Sequence, residues 1–237
     1  AVTAGIMALA EAVYVLFGFG AGLIAVGSLA MVLPDVTDVV VLLLLVNVPA
    51  ELYVVARGRR DVAWRGVLLI CAGIAAGVPA GTWILGRSEP QIVLFVLGAF
   101  LVAVGALFLL LPPGARLRLP PWSAPPTGVL SGLLAGMFGT GGPPVILYYR
   151  LAGADKRAFR GNLMAIFLLI SAVRIPSYVV AGLITWERLW SAVAVFPAVL
   201  LGAVVGNLVH LRIEELTFQR LVSLGLGAIG VLLLVRT

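Results

Sequence analysis

The chain has 237 residues, of which 62% are hydrophobic and only 11% charged, and it carries a net charge of +6 at neutral pH. Charge is at about half the level of a globular domain, and several apolar runs of about 20 residues are each long enough to cross a bilayer. This excludes a soluble fold, which could not hide so much apolar surface, and it argues against nucleic-acid binding, because the basic residues sit in short loops between apolar runs.

Apolar segments are predicted at 4–33, 39–56, 66–86, 91–111, 127–149, 159–181, 189–210 and 216–235. The first lacks a basic leading region and carries Glu11, unlike a signal peptide, and a chain opening on Ala1 points to a trimmed or partial N-terminus. Near its middle it is interrupted by Gly18-Phe19-Gly20-Ala21-Gly22. The second carries Asn47, Pro49 and Glu51. The third holds Cys71, the only cysteine, which rules out an intrachain disulfide and is expected to be a buried small hydrophobe. After the fourth comes a proline-dense stretch, 112–126, that cannot continue a helix and is predicted to link two halves. The fifth is interrupted by Gly139-Thr140-Gly141-Gly142-Pro143-Pro144, the sixth carries Asn162 and Arg174, and the seventh ends near Asn207 and His210, the latter expected at the interface.

The two halves, 1–111 and 127–237, share a spacing. Gly77, Gly81, Arg87, Glu89 and Gly105 recur 125 residues later as Gly202, Gly206, Arg212, Glu214 and Gly230. If all eight segments cross, the basic residues divide almost evenly between the two faces. If the two glycine-interrupted segments instead enter and leave by one face, Arg57, Arg59, Arg60, Arg65, Arg116, Arg118, Arg150, Lys156, Arg157, Arg160, Arg212 and Arg220 share a side. Only Arg87, Arg188 and Arg236 then lie opposite, and Arg174 stays within the membrane. That asymmetry is what a cytoplasmic face requires, so loops 57–65, 112–126, 150–160 and 211–220 are predicted to be cytoplasmic. The expected fold is an all-α integral membrane protein of two inverted repeats. Each repeat is a glycine-interrupted re-entrant or broken helix hairpin (4–33 and 127–149) followed by three transmembrane helices; segment 4–33 could also span as one broken helix. Such a chain reads as a secondary transporter of the cytoplasmic membrane with its site where the halves meet.

Irregular backbone at membrane depth is tolerated only when buried in protein or facing a watery cavity. Glycine allows close approach to the main chain, and Pro143-Pro144 suits the first turn of a new helix, whose N-terminus favours an anion. Gly20, Ala21, Gly22, Gly139, Thr140, Gly141 and Gly142 are therefore candidate anion-binding residues. Gly77, Gly81, Gly202 and Gly206 read instead as close helix packing. Arg174, costly in a membrane unless paired or facing a cavity, is a further candidate; the alternative is that it snorkels to the outer face. Asn47, in a Val-Asn-Val-Pro context resembling Val173-Arg174-Ile175-Pro176, is its expected counterpart. Asn162 and Asn207 either line the path or cap a helix. Glu51 either pairs with Arg57 or Arg59 or serves as a proton-coupling carboxylate, and Glu11 is a weaker version of the same. One histidine and one cysteine leave no metal cluster, and nothing resembles a serine-hydrolase turn or a lipid phosphotransferase motif; no enzyme activity, metal or cofactor is expected.

The run Gly132-Leu133-Leu134-Ala135-Gly136-Met137-Phe138-Gly139-Thr140-Gly141-Gly142-Pro143-Pro144, with its echo over Phe17 to Ile24, resembles the sulfite exporter TauE/SafE family, also called the 4-toluene sulfonate uptake permease family. The Gly202…Gly206…Leu208…Arg212-Ile213-Glu214…Leu221…Gly230 pattern resembles it too, as does Arg160-Gly161-Asn162-Leu163-Met164-Ala165, with Asn162 where members often carry a small hydroxyl residue. The resemblance implies transport of a small sulfur-containing anion (sulfite, a sulfonate or sulfoacetate), with coupling to protons as an open expectation. An anion channel and a non-transporting scaffold or sensor are the alternatives; flux direction and oligomeric state stay open.

Overall fold

The computed structural model describes residues 2–17, 21–30, 36–58, 62–111, 117, 119–153, 156–209 and 215–236. Among these the regular structure is helical: α1 (Val2–Phe17), α2 (Ala21–Ala30), α3 (Val36–Gly58), α4 (Trp64–Leu85), α5 (Pro90–Leu110), α6 (Ala124–Phe138), α7 (Gly142–Leu151), α8 (Lys156–Val180), α9 (Trp186–Val209) and α10 (Glu215–Arg236), with a short 3₁₀ turn at Pro121–Ser123. The eight predicted apolar segments are all present. Segment 4–33 is α1 and α2, segment 127–149 is α6 and α7, and the other six are one helix each.

Among the described residues three helices, Trp64–Leu85, Pro90–Leu110 and Gly161–Val180, are long and apolar enough to cross a membrane. Exposed Leu68, Ile92, Phe95, Leu110, Val179 and Val180 suit contact with lipid. All five tryptophans are exposed as well. Trp64 and Trp83 stand at opposite ends of α4, about 28 Å apart at the helical rise of 1.5 Å per residue, close to the thickness of the hydrocarbon layer. Arg87 lies over the Trp83 ring, 4.6 Å from its centroid, as expected at a membrane–water interface.

The helices form two compact units, each drawing on both halves of the chain. One consists of Ala1–Leu43, Ser88–Pro112 and Trp186–Thr237, the other of Leu44–Arg87 and Pro113–Thr185. In the first unit α5 and α10 run antiparallel along a seam of small residues. A Cβ on Gly105 would meet the Ser223 carbonyl at 2.7 Å and Gly227 at 3.1 Å, and one on Gly230 would meet the Gly98 carbonyl at 2.7 Å and Val102 N at 2.9 Å. Adding 125 to Gly98, Val102 and Gly105 gives Ser223, Gly227 and Gly230, so the two sets of contacts exchange when the two helices are exchanged. In the same unit Gly202 of α9 is pressed against the Ala8 backbone of α1, and Gly27 of α2 against Ile229 and Leu101. Arg188 Nε donates to Asp38 Oδ1 at 2.7 Å, tying the start of α9 to the start of α3.

The second unit is built on α4 and α6. Gly73, Gly77 and Gly81 of α4 face Gly128, Gly132 and Gly136 of α6 in order, so the two helices run parallel. Almost any side chain in this seam would enter the opposing backbone: a Cβ on Gly73 meets the Pro125 carbonyl and one on Gly128 the Ile70 carbonyl. α8 packs on α4 and starts at the same end, because Asn162 Oδ1 accepts the Ala63 N–H at 2.7 Å just ahead of α4. α7 turns back from α6. The Leu117 N–H, upstream of α6, donates to the carbonyl of Leu151 at the end of α7 at 2.8 Å, and the Tyr149 hydroxyl lies beside Gly66 in the first turn of α4. The outer ends of the α6–α7 hairpin therefore come together at the end of the unit where α4 and α8 begin.

Candidate anion site at the second glycine break

α6 ends on Gly139, whose φ of 70° is the left-handed conformation that terminates a helix and suits glycine. Its N–H closes on the Ala135 carbonyl at 2.9 Å. α7 begins three residues later with Gly141 as its N-cap. A helix start normally leaves four N–H groups without acceptors, and prolines at 143 and 144 remove two of them. The remaining donors belong to Gly141 and Gly142, next to Thr140. Among the described residues, no turn or loop hydrogen bond takes up the N–H of Thr140, Gly141 or Gly142. All three residues are buried. The loop is pinned from behind by Ser131, whose hydroxyl donates to the Gly141 carbonyl. A Cβ on Gly141 would meet the Ser131 carbonyl at 2.6 Å, so the close approach of loop to α6 depends on glycine at this position.

Arg174 comes to the same place from α8. It is 3% exposed, and its Nη1 lies 3.5 Å from the Gly139 carbonyl while Nη2 donates to the Tyr178 hydroxyl at 3.1 Å. The guanidinium thus meets the negative, carbonyl-bearing end of α6, beside the positive, N–H-bearing start of α7. Ser171, one turn earlier on α8, donates to Glu51 Oε2 at 2.7 Å, and Glu51 is 5% exposed. The Arg174 charge acts on that carboxylate. An arginine, a carboxylate, a hydroxyl and a helix N-terminus are accordingly assembled on one side of α8. Fixed positive charge and unused N–H groups together favour an anion.

The other predicted site residues fall as follows. Asn47 stands one turn before Glu51 on α3, and its Oδ1 is buried without a hydrogen-bond partner among the described residues. Asn162 is buried and engaged with Ala63 ahead of α4. Ala21 and Gly22 open α2, in the other unit, and Gly20 lies outside the described residues, as do His210 and the side chains of Asn207, Arg57 and Arg59. Glu11 is buried in α1 and Cys71 is half-buried in α4. Ser131, Ser171 and Tyr178 were not predicted. Ser171 and Tyr178 lie three residues before and four after Arg174, the spacing that puts helical residues on one face, so a search around the buried arginine would have found them.

The model of the sulfite exporter TauE/SafE family matches residues 3–233, nearly the whole chain. The chain belongs to this family. Members are membrane transporters, not enzymes, and the apolar helices agree with that. Over 193 residues, 80% of each chain, it is 29% identical to the probable inner membrane transporter protein TsaS of Comamonas testosteroni. Over 218 residues it is 26% identical to the probable sulfite/organosulfonate exporter TauE of Cupriavidus necator, covering 89% of this chain and 85% of that one. No solved structure matches it.

Proposed function

We propose that the protein is a secondary transporter that moves a small sulfur-containing anion, such as sulfite, a sulfonate or a sulfoacetate-like anion, across the cytoplasmic membrane by alternating access. The observation that carries this reading is the convergence of Arg174 on the break between α6 and α7, where Thr140, Gly141 and Gly142 offer N–H groups and two prolines follow. A tetrahedral or pyramidal oxyanion accepts hydrogen bonds from several directions, and a guanidinium beside backbone N–H groups supplies them together with charge. The name of the Cupriavidus necator relative, a probable sulfite/organosulfonate exporter, supports the sulfur anion. Asn47, one turn before Glu51, contributes an uncharged polar group on this reading.

The α6–α7 hairpin is re-entrant in this proposal, entering and leaving by the cytoplasmic face. The bond between Leu117 and Leu151 and the shared starting end of α4 and α8 support it, since a fully crossing α6–α7 would leave α8 antiparallel to α4. The exchange symmetry of the α5–α10 contacts supports inverted repeats, with a pseudo-two-fold axis passing between those helices. Glu51, buried and held by Ser171 beside the Arg174 charge, is the proton-coupling carboxylate on this reading.

Uptake of radiolabelled sulfite, sulfoacetate and toluenesulfonate into proteoliposomes, with and without a pH gradient, tests the proposal. Saturable flux of one of these is expected, falling at least about tenfold in Arg174→Gln, the equivalent of about 1.4 kcal/mol of anion binding. Glu51→Gln should keep flux down the anion gradient and lose the response to pH. Flux that follows voltage without saturating would mark a channel, and full flux in folded Arg174→Gln would remove Arg174 from the site.

A further inference from the structure

We propose that Tyr178 is a positioning residue that holds the Arg174 guanidinium at the second glycine break, in the orientation from which it meets the transported anion. This rests on the reading of Arg174 just given.

Tyr178 is 0% exposed and, among the described residues, the largest of the fully buried side chains. Phenylalanine would fill nearly the same volume without a polar atom, and a buried hydroxyl is unfavourable unless hydrogen-bonded. The Tyr178 hydroxyl has both kinds of partner. It accepts from Arg174 Nη2 at 3.1 Å and donates to the Gly136 carbonyl at 2.8 Å, with the Ala135 carbonyl farther off at 3.4 Å. A hydroxyl has one proton, so donation toward Gly136 turns its lone pairs to the arginine. The ring adds a second constraint, lying 5.0 Å from the guanidinium carbon.

The anchor beneath Tyr178 is rigid. Gly136 belongs to the α4–α6 seam, where a Cβ would meet the Val78 carbonyl and Thr82 N, so its position is set by backbone packed on backbone. A continuous path runs from that seam through the Gly136 carbonyl and the Tyr178 hydroxyl to Arg174, and from Arg174 to the Gly139 carbonyl at the break. Arginine has four rotatable side-chain torsions. Fixing one terminal nitrogen against a rigid backbone restricts where the other can point, which lowers the ordering cost of anion binding.

The test is Tyr178→Phe in the full-length chain, reconstituted in proteoliposomes with radiolabelled sulfite, or whichever anion of the panel above is carried, and compared in the native and Arg174→Lys backgrounds. In the native background KM should rise about three- to tenfold with kcat changed less, as expected for loss of one hydrogen bond to a binding group. In Arg174→Lys the same substitution should change KM less than about twofold, because its effect is routed through the guanidinium. An unchanged KM with only a lower thermal midpoint would make the hydroxyl merely structural and overturn the inference, as would an equal rise in both backgrounds. Retention of flux in Arg174→Gln overturns the site itself, whereas loss there beside a neutral Tyr178→Phe overturns only the positioning role. A crystal structure of Tyr178→Phe decides the matter whichever anion is carried: a guanidinium swung away from the Gly139 carbonyl supports the inference, and one left in place refutes it.

Discussion

Two stretches of glycine within one unit use the same residue for opposite ends. Along α4 and α6, glycines 73, 77, 81, 128, 132 and 136 sit inside regular helices and serve by lacking a side chain, so that two backbones touch. At the break, Gly139 serves by adopting a φ of 70°, while Gly141 lets the loop lie close on Ser131 and, with Gly142, carries an N–H that no turn or loop hydrogen bond takes up among the described residues. The seam packs backbone on backbone, and at the break one helix ends and another begins among buried residues. What the comparison teaches is that glycine content marks neither packing nor binding by itself. Along this seam the glycines keep a four-residue period within a helix, while at the break three fall within residues 139–142.

The sharpest way to break this distinction is Gly73→Val. Its side chain would enter the Pro125 carbonyl and lie within 2.6 Å of Val129 N, so α4 and α6 must part. A loss of more than about 3 kcal/mol is expected, seen as near-complete loss of monodisperse protein on fluorescence-detected size exclusion. Wild-type yield would show that the seam is not closely packed. Gly139→Ala should act more mildly, costing about 1–2 kcal/mol through the left-handed backbone, and should lower the thermal midpoint by a few degrees. An unchanged midpoint would mean that the break relaxes freely. Smallest of all is Gly225→Ala in α10, where nothing lies within 4 Å of the added Cβ. It should stabilise by about 0.5–1 kcal/mol, because a helical glycine with open space around it only weakens the helix. A lowered midpoint would show that this exposed face is covered.

Much of the helical layout was legible because hydrophobic run length is read directly from the chain. The observed α3, α4, α5, α8, α9 and α10 lie within a few residues of the predicted segments, and the interruption after Phe138 falls at its glycines. Gly77 was read as packing, and it does pack. Arg174 was recognisable as exceptional from its apolar neighbours, but the choice between snorkelling and burial depends on what faces it. Its partners, Gly139 and Tyr178, are set by how α8 lies against α6. Asn162 shows the same limit from the other side: an asparagine in an apolar segment was flagged, but only the packing of α8 on α4 revealed that it holds the Ala63 N–H.

By itself, then, the sequence determined that this is a helical membrane protein, where its helices run and where the fifth apolar segment is broken by glycine beside proline, because apolar length and backbone permissiveness are local properties. Only the tertiary structure decided that α6 and α4 meet through paired glycines, that α7 turns back toward the start of α6, and that Glu51, Ser171, Arg174 and Tyr178 come together beside the break. Contacts behind those outcomes join residues far apart in the chain, 35 positions for Arg174–Gly139 and 120 for Ser171–Glu51, and the separation along the chain carries no signal of which helix faces will touch.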